Sequence, residues 1–128
     1  MIFAPGNRDD GSPKDTARNC ERTGEFVVNL VDEALAEVMV RTAASVPYGV
    51  SEIEREALET AASSAVAPPR IAAVPAALEC KVHSIQMVGS NRLVFGIVHR
   101  VQPGNYLGQN AGRIAQIEDS KISVTEIV

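Results

Sequence analysis

Between Gly11 and Val31 the chain carries a helix with both ends punctuated and a buried strand directly after it, and no other stretch limits the fold as much. Ser12 is placed to cap the helix, and Pro13 suits the first helical position, where its missing N–H leaves no bond unmade. Gly24 falls just past the helix end, where a left-handed residue closes the last turn. The caps predict a helix over 13–22. Only Ala17 and Cys20 are apolar on it, so it reads as a thin cover over a sheet. From Phe26 to Val31 the run is rich in β-branched and aromatic residues, the pattern of a strand. Free N–H groups at the helix start, with Lys14 and the Thr16 hydroxyl in its first turn, make a candidate anion site.

Residues 5–12 are a loop by composition. A second helix is expected over 32–43, where Leu35, Val38, Met39 and Thr42 fall at i, i+3, i+4 and i+7 as one buried stripe. Pro47 and Gly49 break the chain at 44–50. Ser51-Glu52-Ile53-Glu54 is a capping-box sequence and opens a short third helix to about Leu58. The stretch 59–76 is Ala-, Ser- and Pro-rich; its prolines veto a continuous helix, so it reads as an extended connection. Ala77–Val88 and Arg92–Val101 flank the turn Gly89-Ser90-Asn91 as a β-hairpin. Leu78, Cys80 and Val82 share a face of the first strand, whereas Ile85 and Met87 fall on the other parity, so either a bulge near Ser84 or two covered faces is required. Leu93, Phe95, Ile97 and Val101 share a face of the second strand, and Gly96 permits close approach by a ligand or another chain. After a loop at 102–111, Ile122, Val124 and Ile127 mark a candidate last strand.

At 128 residues the chain is one small domain. A net charge of −4 and 4% aromatic residues argue against a nucleic-acid or anionic-membrane surface. The two cysteines, Cys20 and Cys80, do not make a disulfide framework, and a reducing cytoplasm is the expected compartment. No signal peptide and no apolar run of membrane-spanning length is read.

Lys14-Asp15-Thr16, Asn19 and Gly24–Asn29, followed by Val46–Glu52, Pro68-Pro69-Arg70-Ile71 and Pro75–Cys80, resemble in that order the flavin reductase-like, FMN-binding split-barrel family. The resemblance covers about residues 1–101, taken as a partial flavin reductase-like domain, with 102–128 a divergent tail. It implies an α+β fold, a mainly antiparallel split β-barrel, here partial, with two or three covering helices. It implies FMN as cofactor, NADH or NADPH as co-substrate, hydride transfer to flavin as the reaction, and a homodimer. Relatives carry two or three barrel strands ahead of the matched segment, and Met1–Ala4 reads as the end of such a strand. In relatives the Lys-Asp-Thr segment lies near the FMN phosphate, which makes Lys14 and Thr16 the first candidates for that group. Arg8 and Ser12, just upstream, are further candidates as guanidinium and hydroxyl, and Asp15 is read as structural, since a second anion would repel phosphate. The alternative is a truncated, non-enzymatic remnant of the family, a dimeric or flavin-carrier protein; a haem carrier is a weaker third option.

His83 and His99 lie on the hairpin strands; hydride transfer to a flavin needs no protein acid or base, so they read as histidines of a partly exposed sheet face. Cys80 reads as an inert buried thiol and Glu52, Glu54, Glu56 and Glu59 as a solvated face. There is no short-spaced Cys or His pair for a metal, and no Gly-rich phosphate loop for a separate nucleotide domain.

Overall fold

The structure, a computed structural model, describes residues 1–44 and 46–104. The expected strand around Ile122–Ile127, and the tail loop beyond Gly104, lie outside the described residues. The fold is α+β. Its elements are β1 (Ile2–Phe3), α1 (Asp15–Thr23), β2 (Glu25–Leu30), α2 (Ala36–Thr42), α3 (Glu52–Arg55), β3 (Thr60–Ala61), β4 (Arg70–Ile71), β5 (Ala76–Val88) and β6 (Asn91–Pro103). A four-stranded antiparallel sheet runs in the order β1-β6-β5-β2, and β3 pairs with β4 beside it.

The hairpin is longer than its sequence pattern. Val88 pairs with Asn91, so the loop is the two residues Gly89 and Ser90, and β6 continues to Pro103 where a loop is expected. Gly89 takes φ 61, as a tight two-residue hairpin loop requires at its first position. Two register shifts leave His83 unpaired on β5 and His99 unpaired on β6. The extra residue at His83 settles the parity conflict: it swaps the side-chain alternation, so Leu78, Val82 and Ile85 all pack on the same core. On β6 the buried positions are Val94 and Gly96, while Ile97 and Val101 are exposed, opposite to the expected face.

Two cores result. Phe3, Cys20, Phe26, Val28, Cys80 and Val94 form one, under α1. Val27, Val66, Ile71, Val74 and Ala77 form the other, with Leu35, Met39, Ile53 and Leu58 packed against it. β2 is therefore buried on both sides, which explains its unbroken apolar run Phe26-Val27-Val28. As expected, α1 buries only Ala17 and Cys20, and Gly24 closes it at φ 69. The second helical segment begins as a 3-10 turn at Glu33–Leu35 capped by the Asp32 carboxylate, and its stripe is half-buried throughout.

Ser51 caps α3 by accepting from the Glu54 N–H at 3.3 Å, but α3 stops at Arg55. The chain turns there because Ala57 takes φ 50; Ala57 N donates to Glu54 O and Leu58 N to Ile53 O. Glu56 is not solvated as expected: it accepts from Arg41 at 2.7 Å and from Arg55 at 3.0 Å, and the Arg41 bond above all holds its carboxyl below the ordinary range.

Side-chain acceptors on the sheet hold the Pro-rich connection. Glu79, fully buried on β5, accepts from Ser64 N at 3.1 Å and Ala65 N at 2.5 Å. Glu25 accepts from Ala67 N at 2.8 Å and Asn29 from Ile71 N at 2.9 Å. Backbone N–H groups of the connection thus find side-chain acceptors on the sheet.

Candidate functional site

The helix start differs from the sequence expectation, and the difference creates the site. Asn7 bridges to Pro13, Arg8 N donates to Ser12 O at 2.8 Å, and the Asp10 carboxylate accepts from Ser12 N at 2.8 Å. This tight turn occupies Ser12 and delays α1 to Asp15, so Ser12 is not its cap and Pro13 is not in its first turn. Lys14 is the residue before the helix, extended at φ −63 and ψ 162, with no side-chain cap bond. The first-turn N–H groups of α1 therefore receive no acceptor from the cap residue, and the positive end of the helix is left open.

Beside it lies a cleft of about 620 Å³. Arg8, Lys14, Asp15, Thr16, Asn19 and Arg22 line it from α1 and the loop before it. Val46 and Tyr48–Ile53 line the facing wall, and Pro68, Pro69 and Ile71 reach it from the connection. Of the four candidate residues the structure brings Arg8, Lys14 and Thr16 to one cleft; Ser12 is not among its lining residues.

The electrostatics separate these residues. Arg8 donates to Asp15 at 2.5 Å and to Val46 O at 2.8 Å, while its Nε is buried without a partner among the described residues. Asp15 is thus an ion-pair partner, in keeping with a structural role, and its second oxygen accepts from Gly49 N at 3.4 Å. Among the described residues, no ion pair ties down Lys14, which is half-buried at the cleft. Glu25, also on the lining, is engaged by Ala67 N at 2.8 Å and lies 3.8 Å from Lys81. Lys14 at the helix start is a cation that an oxyanion fits, while the Glu52 carboxylate also lines the cleft.

Away from the cleft, His83 and His99 are both exposed. Cys80 is fully buried, and burial pushes its thiol up. Gly96 takes no ligand or second chain: the ring of Phe26 fills the space beside it. Among the described residues no group of three or more His, Cys, Asp or Glu is placed to hold a metal ion, and no helix is long and apolar enough to cross a membrane.

Sequence reasoning about local chemistry did not find Asn19, Tyr48 or the 46–53 wall as site residues. A signal was available: the segments that carry the family resemblance, Lys14–Thr16, Asn19, Val46–Glu52 and Pro68–Ile71, are far apart in the chain and meet at this cleft.

The fold is an α+β one built on an antiparallel sheet with a cleft at its side, and the chain belongs to the flavin reductase like domain family, whose model matches residues 4–116. A protein of Deinococcus radiodurans described only as uncharacterized is 44% identical over 98 residues, which are 77% of this chain and 43% of that protein. Nitrilotriacetate monooxygenase component B from Bacillus cereus superposes with a TM-score of 0.73 at 28% identity, over 83% of this chain and 55% of that one. A structure with a split barrel domain from Shewanella frigidimarina superposes with a TM-score of 0.69 at 23% identity over 88% of this chain and 54% of that one, a likeness of fold. The chain spans about half the length of the relatives it matches.

Proposed function

We propose that the cleft holds FMN and that the chain serves a flavin reductase-type oxidoreductase, in which NADH or NADPH gives hydride to flavin. The observation that carries this reading is Lys14, without an ion pair among the described residues, beside Thr16 at the open start of α1, on a cleft of about 620 Å³. That volume lies in the range of small-molecule and cofactor sites, roughly 300–1,000 Å³. The donor set fits a phosphate: an ammonium, a hydroxyl and helix N–H groups, with the orphaned Arg8 Nε nearby. Ser12, on the tight turn just upstream and off the cleft lining, is the weakest of the four candidates.

Bound flavin would supply hydride acceptance, so the protein has to bind and orient and need not move a proton itself. Lys14 and Thr16 would anchor the phosphate end through charge-assisted bonds. Val46, Ile53, Pro68 and Ile71 present apolar surface to the cleft and would exclude water from it. We further propose a homodimer, because β1 pairs with only two residues of β6 and, among the described residues, leaves Ile97 and Val101, 53% and 60% exposed, on a strand with an open edge. Cys20 and Cys80 are buried thiols, which suits a reducing compartment, and the cytoplasm is the proposed location.

Titration of the purified chain with FMN, FAD and riboflavin, followed by NADH and NADPH oxidation with free flavin, tests the reading. FMN binding tighter than riboflavin, with turnover, supports it. Binding without turnover supports a flavin carrier instead. Failure of every flavin to bind overturns both.

A further inference from the structure

Two loops, one just before α1 and one more than thirty residues beyond Asp15, converge on the Asp15 carboxylate. Arg8 reaches one oxygen at 2.5 Å, and Gly49 N points at the other from 3.4 Å. The same guanidinium donates to Val46 O at 2.8 Å, so one Arg–Asp unit grips residues 46–50 at both ends. A second grip lies alongside: the Arg18 guanidinium sits 4.8 Å from the centre of the Tyr48 ring. Val46 and Tyr48–Val50 line the same cleft as Lys14 and Thr16, yet none of residues 46–50 is fully buried, and Tyr48 is 54% exposed. Apolar packing therefore holds this strap weakly, and polar contacts to α1 and its preceding loop set its position.

We infer that Asp15 is a positioning residue: with Arg8 it clasps the 46–50 strap onto α1 and so sets the width of the cleft, and it does not itself meet the ligand. Arg8 is engaged chiefly in this clasp, which leaves Lys14 as the principal phosphate cation. The clasp is a property of the protein alone; its effect on flavin affinity rests on the function proposed above. Arg8 and Lys14 thus divide the work. Lys14 discriminates for phosphate, and the clasp acts on any ligand that needs the facing wall in place.

The Tyr48–Gly49 bond is a chymotrypsin site on the strap, and the bond after Phe26, 1% exposed, reports global opening. Asp15→Asn should speed cleavage after Tyr48 by about fivefold, the scale of a partly exposed ion pair, with cleavage after Phe26 unchanged. Arg8→Lys keeps a cation and leaves Asp15 at the helix start; it should give a smaller acceleration. It also keeps the experiment decisive if Asp15→Asn folds poorly. In the same proteins FMN and riboflavin affinities should fall by equal factors. Unchanged cleavage after Tyr48 in both variants would overturn the clasp. Loss of FMN affinity with riboflavin unmoved would also overturn it, by placing the pair at the phosphate. If wild type binds neither flavin, the FMN reading fails and the cleavage rates still decide the clasp.

Discussion

The ring of Phe26 occupies the space where a side chain on Gly96 would stand. A Cβ built on Gly96 would lie 2.3 Å from Cζ and 2.8 Å from Cε1 of that ring. Phe26 is 1% exposed and packs edge-on against Phe3 with ring centres 5.0 Å apart, so the ring has nowhere to retreat. Gly96→Ala should cost about 1–3 kcal/mol by overpacking, measured by urea unfolding. Phe26→Leu shortens the intruding group, so the double variant should lose less than the two single losses added. Full additivity would mean that the two residues do not compete for space.

Ala57 carries the opposite lesson. It holds φ 50 at the end of α3, with the paired bonds of a left-handed helix stop on either side. The left-handed conformation costs a residue with a Cβ about 1–2 kcal/mol, and glycine avoids that cost while losing some unfolded-state entropy. Ala57→Gly should therefore raise stability by about 0.5–1 kcal/mol, a gain visible as a higher melting temperature. A lower melting temperature would contradict the backbone assignment.

Glu79 should make stability pH-dependent in a defined direction. Burial alone would raise its carboxyl, but the Ala65 N–H, the Gln102 side chain and the Ser64 N–H outweigh burial and hold it below its ordinary value of 4.5. A lowered folded value means the unfolded chain takes up protons first as the solution is acidified. The contribution is thus complete above the ordinary value and is lost as pH falls through the folded one. Glu79→Gln should be less stable than wild type at pH 7, and the gap should narrow in acid below about pH 4. A gap constant with pH would show that Glu79 is not bound as an anion.

What could be read from sequence was local. Gly24, Ser51 with Glu54, and Gly89 each fix a chain reversal or cap within four residues of themselves, and each is found doing so. The cap assigned to Ser12 failed because a competing local turn, Asp10 to Ser12 with the Asn7–Pro13 bridge, took that residue first. The connection over 59–76 was legible as non-helical, but not its attachment, because Glu25, Asn29 and Glu79 act across 14 to 42 residues of chain. Ala57 offered no signal, since its residue type argues against the conformation it adopts. At the site, Lys14 and Thr16 were legible as neighbours at a helix start, whereas the 46–53 wall comes together only through folding.

The phosphate reading of Lys14 is tested most directly by paired titrations of wild type and Lys14→Ala with FMN and riboflavin, which differ by the phosphate. Removing one charge-assisted bond should weaken FMN by about 1.5–3 kcal/mol, roughly 10- to 150-fold, and leave riboflavin within about twofold. Without ligand the melting temperature should barely move, because Lys14 makes no ion pair among the described residues. Thr16→Ala should show the same selectivity at smaller size. Equal losses for FMN and riboflavin would show that Lys14 does not meet the phosphate and would contradict the proposed site.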